Sequence, residues 1–468
     1  MKKFTAIFTL FLLLFSSVPM SVFGQSKTDV LIKNATVMTA GKGTLQGTDI
    51  LVQNGKITKI GKALAAPAGV RTIDATGKYV TPGFIDAHSH SMLDAINEGS
   101  LAVTSMTRTR DLLNPGDITI YRALAGGVTA ANLLHGSANP IGGQNTTVKF
   151  KWGHEVEDYP IPDAPPGIKF AMGENVKQST VVQIPGGRAL RYPRTRMGVV
   201  ETMRDAFMRA KDYRQEWADF RAKKTKVQPR RDLELEPLVE ILEGKRLVHA
   251  HGYRSDEHLN LLLLADEMGF KVATLQHGLE AYKIAPEIAK RGTGVSIFSD
   301  YWGYKLEAYD SIPYNAYILW KNGVNVSINS DDDGRMRRLN LDAAKTMKYG
   351  GVPEEDALKM ITLNPAMQLG IDKRTGSIEV GKDGDLVIWT GHPFSPYSRV
   401  ESTFVEGEML FDRVADAKMR LDVAKEREAL EKLDVNKAPA TGGAPPRVPA
   451  DRRRGDRDEA ETWDGGNQ

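Results

Sequence analysis

The stretch Thr81-Pro82-Gly83-Phe84-Ile85-Asp86-Ala87-His88-Ser89-His90 reads as a short apolar strand that ends in two histidines at i and i+2. Side chains alternate along a strand, so both imidazoles fall on one face. In a strand of a closed parallel barrel that face is the interior, and the C-terminal end of the strand is where catalytic residues collect. Taken alone, a His-x-His is ambiguous, because surface and core histidines produce the same spacing.

Three further segments remove the ambiguity. His249 closes the apolar run Leu247-Val248, His277 closes Thr274-Leu275-Gln276, and Asp331 closes Ile328-Asn329-Ser330. Each is a metal-ligand side chain at the predicted C-terminal end of a strand, and a barrel brings all such ends to one mouth. Neutral imidazole and carboxylate are the donors a borderline divalent cation accepts. Apolar runs alternate with helical stretches across this region: Arg246 to His251, Leu259 to Met268, Lys271 to His277, Ala285 to Lys290, Val295 to Phe298, Tyr314 to Lys321 and Val324 to Asp331. Repeated βα units imply a parallel sheet. With the runs at Phe84, Val128 and Ile168 the strand count approaches eight, which favours a TIM-like (β/α)8 barrel over an open doubly wound sheet. No glycine-rich phosphate loop follows a predicted strand.

Both flanks of this region have a different texture. Val30 to Val80 alternates with period two between turns, and a similar pattern returns at Gly376–Trp389 and Ser402–Phe411. The expected arrangement is a small composite β-sandwich built from residues 25–80 and 367–413, with the barrel at 81–366. Residues 195–245 read as a charged helical insertion and 414–436 as a charged amphipathic helix. The Pro-, Gly- and charge-rich end, 437–468, cannot bury a core and is expected to be disordered.

The 468 residues, 41% hydrophobic and 26% charged, are those of an ordinary globular chain, which excludes a polytopic membrane protein or a collagen. A net charge of +3 provides no domain-wide field for nucleic acid or acidic membranes. There is no cysteine, so disulfides, thiolate zinc sites and iron–sulfur clusters are excluded and any metal must be held by the 9 histidines, carboxylates or a modified lysine. Lys2 and Lys3 precede an apolar stretch from Phe4 to Phe15, then Ser16-Ser17 and Val22-Phe23-Gly24. Residues 1–24 therefore read as a secretory signal, too short in its apolar part for the ~20 residues of a spanning helix, and the mature chain is expected in the periplasm or outside the cell, with no stable membrane insertion after cleavage.

At this point the chain resembles the metal-dependent amidohydrolase superfamily, and its imidazolonepropionase-like branch in particular. The likeness spans Val30 to Arg413 and rests on Pro82-Gly83-Phe84-Ile85-Asp86-Ala87-His88-Ser89-His90, on His249, His277 and Asp331 in barrel order, and on Leu363-Asn364-Pro365-Ala366 followed by Gly376 to Leu386. The resemblance implies one or two divalent ions, zinc foremost with manganese or iron as alternatives, and hydrolysis of amide or other C–N bonds of a small-molecule substrate. Two-metal members carry a bridging carboxylate or carbamylated lysine on a middle strand. In Gly167 to Asn175 the preferred bridge is Glu174, past the strand end, with a carbamylated Lys169 as the alternative; with neither, the site holds one ion.

His88 and His90 would bind the first ion. His249 and His277 would bind the second, or in a one-metal site His277 would polarise the substrate carbonyl. Asp331 is placed to take a proton from water and return it to the leaving nitrogen. His251, on the face of His249, and Tyr253, Arg254 and His135 are candidate substrate contacts. Asp332 and Asp333 read as helix-capping carboxylates, and His154, His258 and His392 as structural or surface residues. The substrate classes are a cyclic amide, an N-acyl amino acid or a dipeptide. A deaminase of a nucleobase-like ring and a non-catalytic binding protein are the competing readings, and a homo-oligomer is compatible with all of them.

Overall fold

A computed structural model describes residues 27–178, 181–184 and 187–435. The expected signal segment and the expected disordered tail lie outside the described residues. The chain starts in a sheet made of β1 (Val30–Met38), β2 (Thr44–Gln53), β3 (Lys56–Gly61), β4 (Arg71–Asp74) and β5 (Tyr79–Pro82). β2 and β3 are joined by Asn54-Gly55, both at positive φ, the turn in which twisted antiparallel strands meet without splaying. Gly83 then leads into the barrel. A Cβ there would stand 2.0 Å from the Thr129 side chain, so only glycine lets the chain cross so close to the neighbouring strand.

The barrel strands are β6 (Phe84–Ser89), β7 (Val128–Leu133), β8 (Ile141–Lys149) and β9 (Gly167–Ala171), followed, after the two-stranded hairpin β10 (Val181–Ile184) and β11 (Gly187–Leu190), by β12 (Leu247–His251), β13 (Val272–Gln276), β14 (Gly294–Ile297) and β15 (Val326–Ile328). Their order around the sheet is the chain order. Seven of the eight run parallel, whereas β8 is antiparallel to both β7 and β9. The expected all-parallel (β/α)8 repeat is therefore interrupted: residues 134–140 join β7 to β8 directly, and a connection that short makes a hairpin and not a helical crossover. The barrel closes between β15 and β6. Ser330 N–H donates to Asp86 (3.1 Å) and Asp331 N–H to the His88 carbonyl (3.2 Å), while the carbonyls of Met360 and Ile361 accept from Ile328 and Ile85 at the other end of the seam.

Helices α1 (Ile118–Leu124), α2 (Gly173–Gln178), α3 (Arg196–Arg221), α4 (Glu236–Leu242), α5 (Ser255–Met268), α6 (Ala285–Arg291), α7 (Asn315–Lys321), α8 (Leu339–Gly350), α9 (Glu354–Lys359) and α10 (Leu363–Gln368) pack outside. The charged segment read as an insertion folds as α3 and α4. α3 seats Phe207 on Phe270 as a stacked pair 4.3 Å apart, against Phe170 of β9.

β16 (Leu386–Trp389), β17 (Val400–Val405) and β18 (Glu408–Asp412) return to the first sheet, giving the strand order β18-β17-β16-β5-β1-β2-β3 with β4 also on β1. The expected sandwich is thus one continuous hydrogen-bonded sheet, whose two wings share a core that includes Val30, Ile32, Ile50, Val52, Leu386 and Phe404. Helix α11 (Arg413–Val435) ends the described chain and is exposed from Ala417 onward through Leu433. Among the described residues no helix is long and apolar enough to cross a membrane.

Candidate metal centre

β6, β13 and β15 deliver His88, His90, His277 and Asp331 to one point inside the barrel mouth. His90 Nε2 is 3.1 Å from Asp331 Oδ1, His88 Nε2 3.4 Å from the same oxygen, and His277 Nε2 3.4 Å from Asp331 Oδ2. His88, His277 and Asp331 each offer one ligand atom within 4.8 Å of the others. His277 and Asp331 both have left-handed backbone, with φ of +57° and +47°. For residues with a Cβ that conformation costs about 1–3 kcal/mol and persists only where the surroundings over-determine it. Here it turns both side chains back over the barrel after their strands end.

The imidazoles are oriented from behind. The His90 Nδ1–H donates to the Leu134 carbonyl (2.9 Å), which leaves Nε2 as the lone-pair nitrogen. His88 Nδ1 faces Gln276 Oε1 at 3.3 Å, with the same consequence for its Nε2. Asp86, two residues before His88, accepts from Ser330 and so ties the base of the His-x-His strand to that of Asp331. Burial holds His88, His251 and His277 well below the ordinary imidazole range, with the Lys169 ammonium adding to the effect, and takes His249 down to about 3. All are neutral at pH 7, the form that binds metal.

β12 contributes two histidines at different depths. His249 is in register with Lys169 and Thr274, and His251, one layer nearer the mouth, with Ala171 and Gln276. The His251 ring lies 5.1 Å from that of His277. Both nitrogens of His249 and of His251 are buried with no hydrogen-bond partner among the described residues. Leaving such groups unpaired costs about 1–3 kcal/mol each. A cluster of neutral imidazoles with orphaned nitrogens around one carboxylate is a donor set that fits a borderline divalent ion.

The two bridge candidates separate clearly. Lys169 is fully buried, with Nζ 3.1 Å from His88 Nε2 and 3.1 Å from the His135 carbonyl. Glu174 does not reach the cluster, contrary to the sequence-based preference. Gly173, at φ +84°, opens α2, and the Glu174 carboxylate faces Lys305 at 3.8 Å and is not part of the His88, His277 and Asp331 group.

Of the expected substrate contacts, Tyr253 is buried and stacked near His277 (5.9 Å between centroids), with its hydroxyl 2.7 Å from that of Tyr304. Arg254 instead pairs with Asp256 (3.0 Å) beyond the mouth. The His135 ring is spent on structure: Nδ1–H donates to the Gly136 carbonyl and Nε2 accepts from Glu98 N–H. Gln276, Phe298, stacked 4.6 Å from His277, and Lys305, 4.3 Å above the Tyr253 ring, belong to the site and were not anticipated. Gln276 was discoverable, because it is the last inward position of a strand followed by a ligand. Lys305 is on a loop with no periodicity to expose it.

The Amidohydrolase family model matches residues 313–410. The chain is 32% identical over 399 residues to Amidohydrolase tasK of Hapsidospora irregularis, covering 78% of this chain but only 40% of that relative. It is 23% identical to the imidazolonepropionase of Thermoplasma volcanium, over 80% of this chain and 93% of that one. The solved amidohydrolase from Thermotoga maritima MSB8 superposes with a TM-score of 0.75 at 36% identity, covering 82% of this chain and 100% of that structure. Sequence and fold together establish that this chain belongs to the amidohydrolase superfamily, in the neighbourhood of the imidazolonepropionases.

Proposed function

We propose that the protein hydrolyses a C–N bond of a small molecule, a cyclic amide, an N-acyl amino acid or a dipeptide, using one or two divalent ions, zinc foremost. The observation that carries this reading is the convergence of three imidazole Nε2 atoms on the Asp331 carboxylate at 3.1 to 3.4 Å. His88, His90 and Asp331 would hold the first ion, and His277 with a histidine of β12 the second. Such an ion supplies Lewis-acid activation of water and of the scissile carbonyl.

The protein's own groups do the rest. Asp331 accepts a proton from the attacking water and passes it to the leaving nitrogen. A C–O bond forms, the C–N bond breaks, and the products are a carboxylic acid and an amine. Gln276 and the Leu134 carbonyl keep His88 and His90 in the tautomer that presents Nε2. Phe298 and Tyr253 stack against His277 and wall that side of the site.

Lys169 replaces Glu174 as the proposed bridge. The Lys169 ammonium first gives up one proton; addition of CO2 to the neutral amine then forms an N–C bond and releases a second proton, so that a cation facing His88 becomes a carbamate anion. Two cations a few ångströms apart require such an anion to offset their repulsion. Export belongs to the same proposal and is supported by the Lys2–Gly24 segment; a mature N-terminus near Gln25 is the expected result, and a retained Met1 would overturn it.

The test of the function is metal analysis with two variants. The protein is expected to carry about one to two equivalents of divalent ion and to lose turnover of amide pools on chelation. Lys169→Ala should lower metal content and remove the carbamate carbon from a 13C spectrum taken in labelled bicarbonate, whereas Glu174→Gln should do neither. Less than about a tenth of an equivalent after reconstitution would end the metalloenzyme reading.

A further inference from the structure

A second concavity, of about 470 Å³, lies outside the candidate metal centre. It is formed where the end of α1, the turn before α8, the loop leading to β17 and the start of α11 meet. Its lining includes Arg122, Arg337, Arg338, Arg399, Arg413 and Arg420 and no carboxylate. The acid behind it, Asp416, is already committed, accepting from Arg420 Nε at 2.8 Å and from the Tyr121 hydroxyl at 3.1 Å. Among the described residues, Arg399 and Arg413 donate to backbone carbonyls, of Pro396 and Ser398 and of Val400. Arg122, Arg337 and Arg338 have no ion-pair partner among the described residues. Burial works most against the Arg413 charge; Asp416 offsets part of this, and Arg399 and Arg420 add repulsion.

Six guanidiniums around one cavity, with a single carboxylate behind them that is paired to Arg420, are an arrangement that folding alone does not favour. The whole chain is only +3, so the cluster is not one part of a generally basic surface. A surface meant for nucleic acid presents an extended basic patch or stripe, whereas these arginines line a single cavity within the size range of small-ligand sites. Lining residues Asn340 and Leu341 form the first turn of α8, a twelve-residue helix, so the positive end of its dipole adds to the same field. Planar guanidiniums bind phosphate oxygens two at a time, which selects phosphate over a simple halide.

We infer that this cavity binds a phosphate-bearing anion carrying two or more negative charges, at a site separate from the hydrolytic centre. The same chemistry belongs to a free oligophosphate and to a phospholipid headgroup, and the experiment distinguishes them. Calorimetric titration of the full chain with pyrophosphate at low ionic strength is expected to show saturable binding. The Arg122→Ser/Arg337→Ser double variant should bind at least tenfold more weakly. Both side chains are exposed, so the fold does not depend on them. Unchanged binding by the double variant, or a wild-type titration that does not saturate, overturns the proposal. In a parallel arm the protein is sedimented with phosphatidylglycerol vesicles. Capture that pyrophosphate reverses identifies a headgroup as the source, and absence of capture with retained pyrophosphate binding identifies a free anion.

Discussion

Asp331 is the residue on which the proposed chemistry turns, and its backbone offers a clean way to test it. At φ +47° most side chains would be strained, but asparagine tolerates the left-handed region nearly as well as aspartate. Asp331→Asn therefore keeps the fold and an oxygen ligand while removing the proton acceptor. Turnover is expected to fall by about 10²–10⁴-fold, the usual contribution of a positioned base, with an unchanged circular dichroism spectrum. Full activity in this variant would contradict the mechanism. Gln276 acts one step further out. Replacing it by leucine removes the acceptor that fixes the His88 tautomer, and loss of such a partner lowers metal affinity by about 10–100-fold. Competition with a chromophoric chelator measures that shift, and an unchanged affinity would assign Gln276 to packing alone.

At the scale of elements, the strand ends bearing His88, His277 and Asp331 were legible because ligand-type residues terminate apolar runs. The depth of a residue along its strand was not. Lys169 is in register with His249, a relation fixed by strand pairing and invisible in Gly167 to Ala171 taken alone. Glu174 looked closer to the metals because sequence distance past a strand says nothing of the turn at Gly173. The antiparallel β8 was missed for a related reason. Ile141-Gly142-Gly143-Gln144-Asn145-Thr146 is too polar and glycine-rich to announce a barrel strand.

Helix α5 adds a pH dependence of its own to that of the buried histidines at the metal centre. Its His258 is fully buried, and burial lowers its pKa to about 4, only partly opposed by the Gly252 backbone and by Glu280 and Asp256. The unfolded imidazole titrates near ~6.5, so below that pH the unfolded state takes up the proton and the native state does not. The His258 contribution to stability is complete above about pH 6.5 and is lost as pH falls toward 4, by on the order of 2 kcal/mol at pH 5. His258→Leu should remove that share of the acid slope, while the buried histidines of the metal centre keep theirs. Urea titrations of both proteins at pH 7.5 and 5.0, with parallel losses, would show that His258 does not carry it.

At the scale of the whole molecule, the barrel and the composite sheet come from interleaved parts of the chain, and one buried cation joins them. Lys149, at the end of β8, reaches Asp385 at 3.0 Å and Glu406 at 3.1 Å and also pairs with Asp383. Burial disfavours its ammonium, but the three carboxylates outweigh burial and its pKa stands above the ordinary lysine value. Arg374, Lys56 and Lys151 surround the same acids. A buried pair adds little net stability against an apolar replacement of both partners, yet removing one partner leaves the other charge stranded. Asp385 decides the magnitude. It is 3% exposed, and among the described residues its carboxylate accepts, apart from Lys149, from the Thr375 hydroxyl and the Glu406 N–H, neither of which carries charge. Lys149→Met should therefore cost about 3–5 kcal/mol in chemical denaturation. Adding Asp385→Asn to that variant should recover part of the loss, because the stranded charge goes while the hydrogen bonds to Thr375 and Glu406 can remain. A loss below about 1 kcal/mol in the single variant would mean that Arg374 and Lys56 can shift to neutralise the cluster, in which case the two sheets are held by their apolar contact and not by this cation.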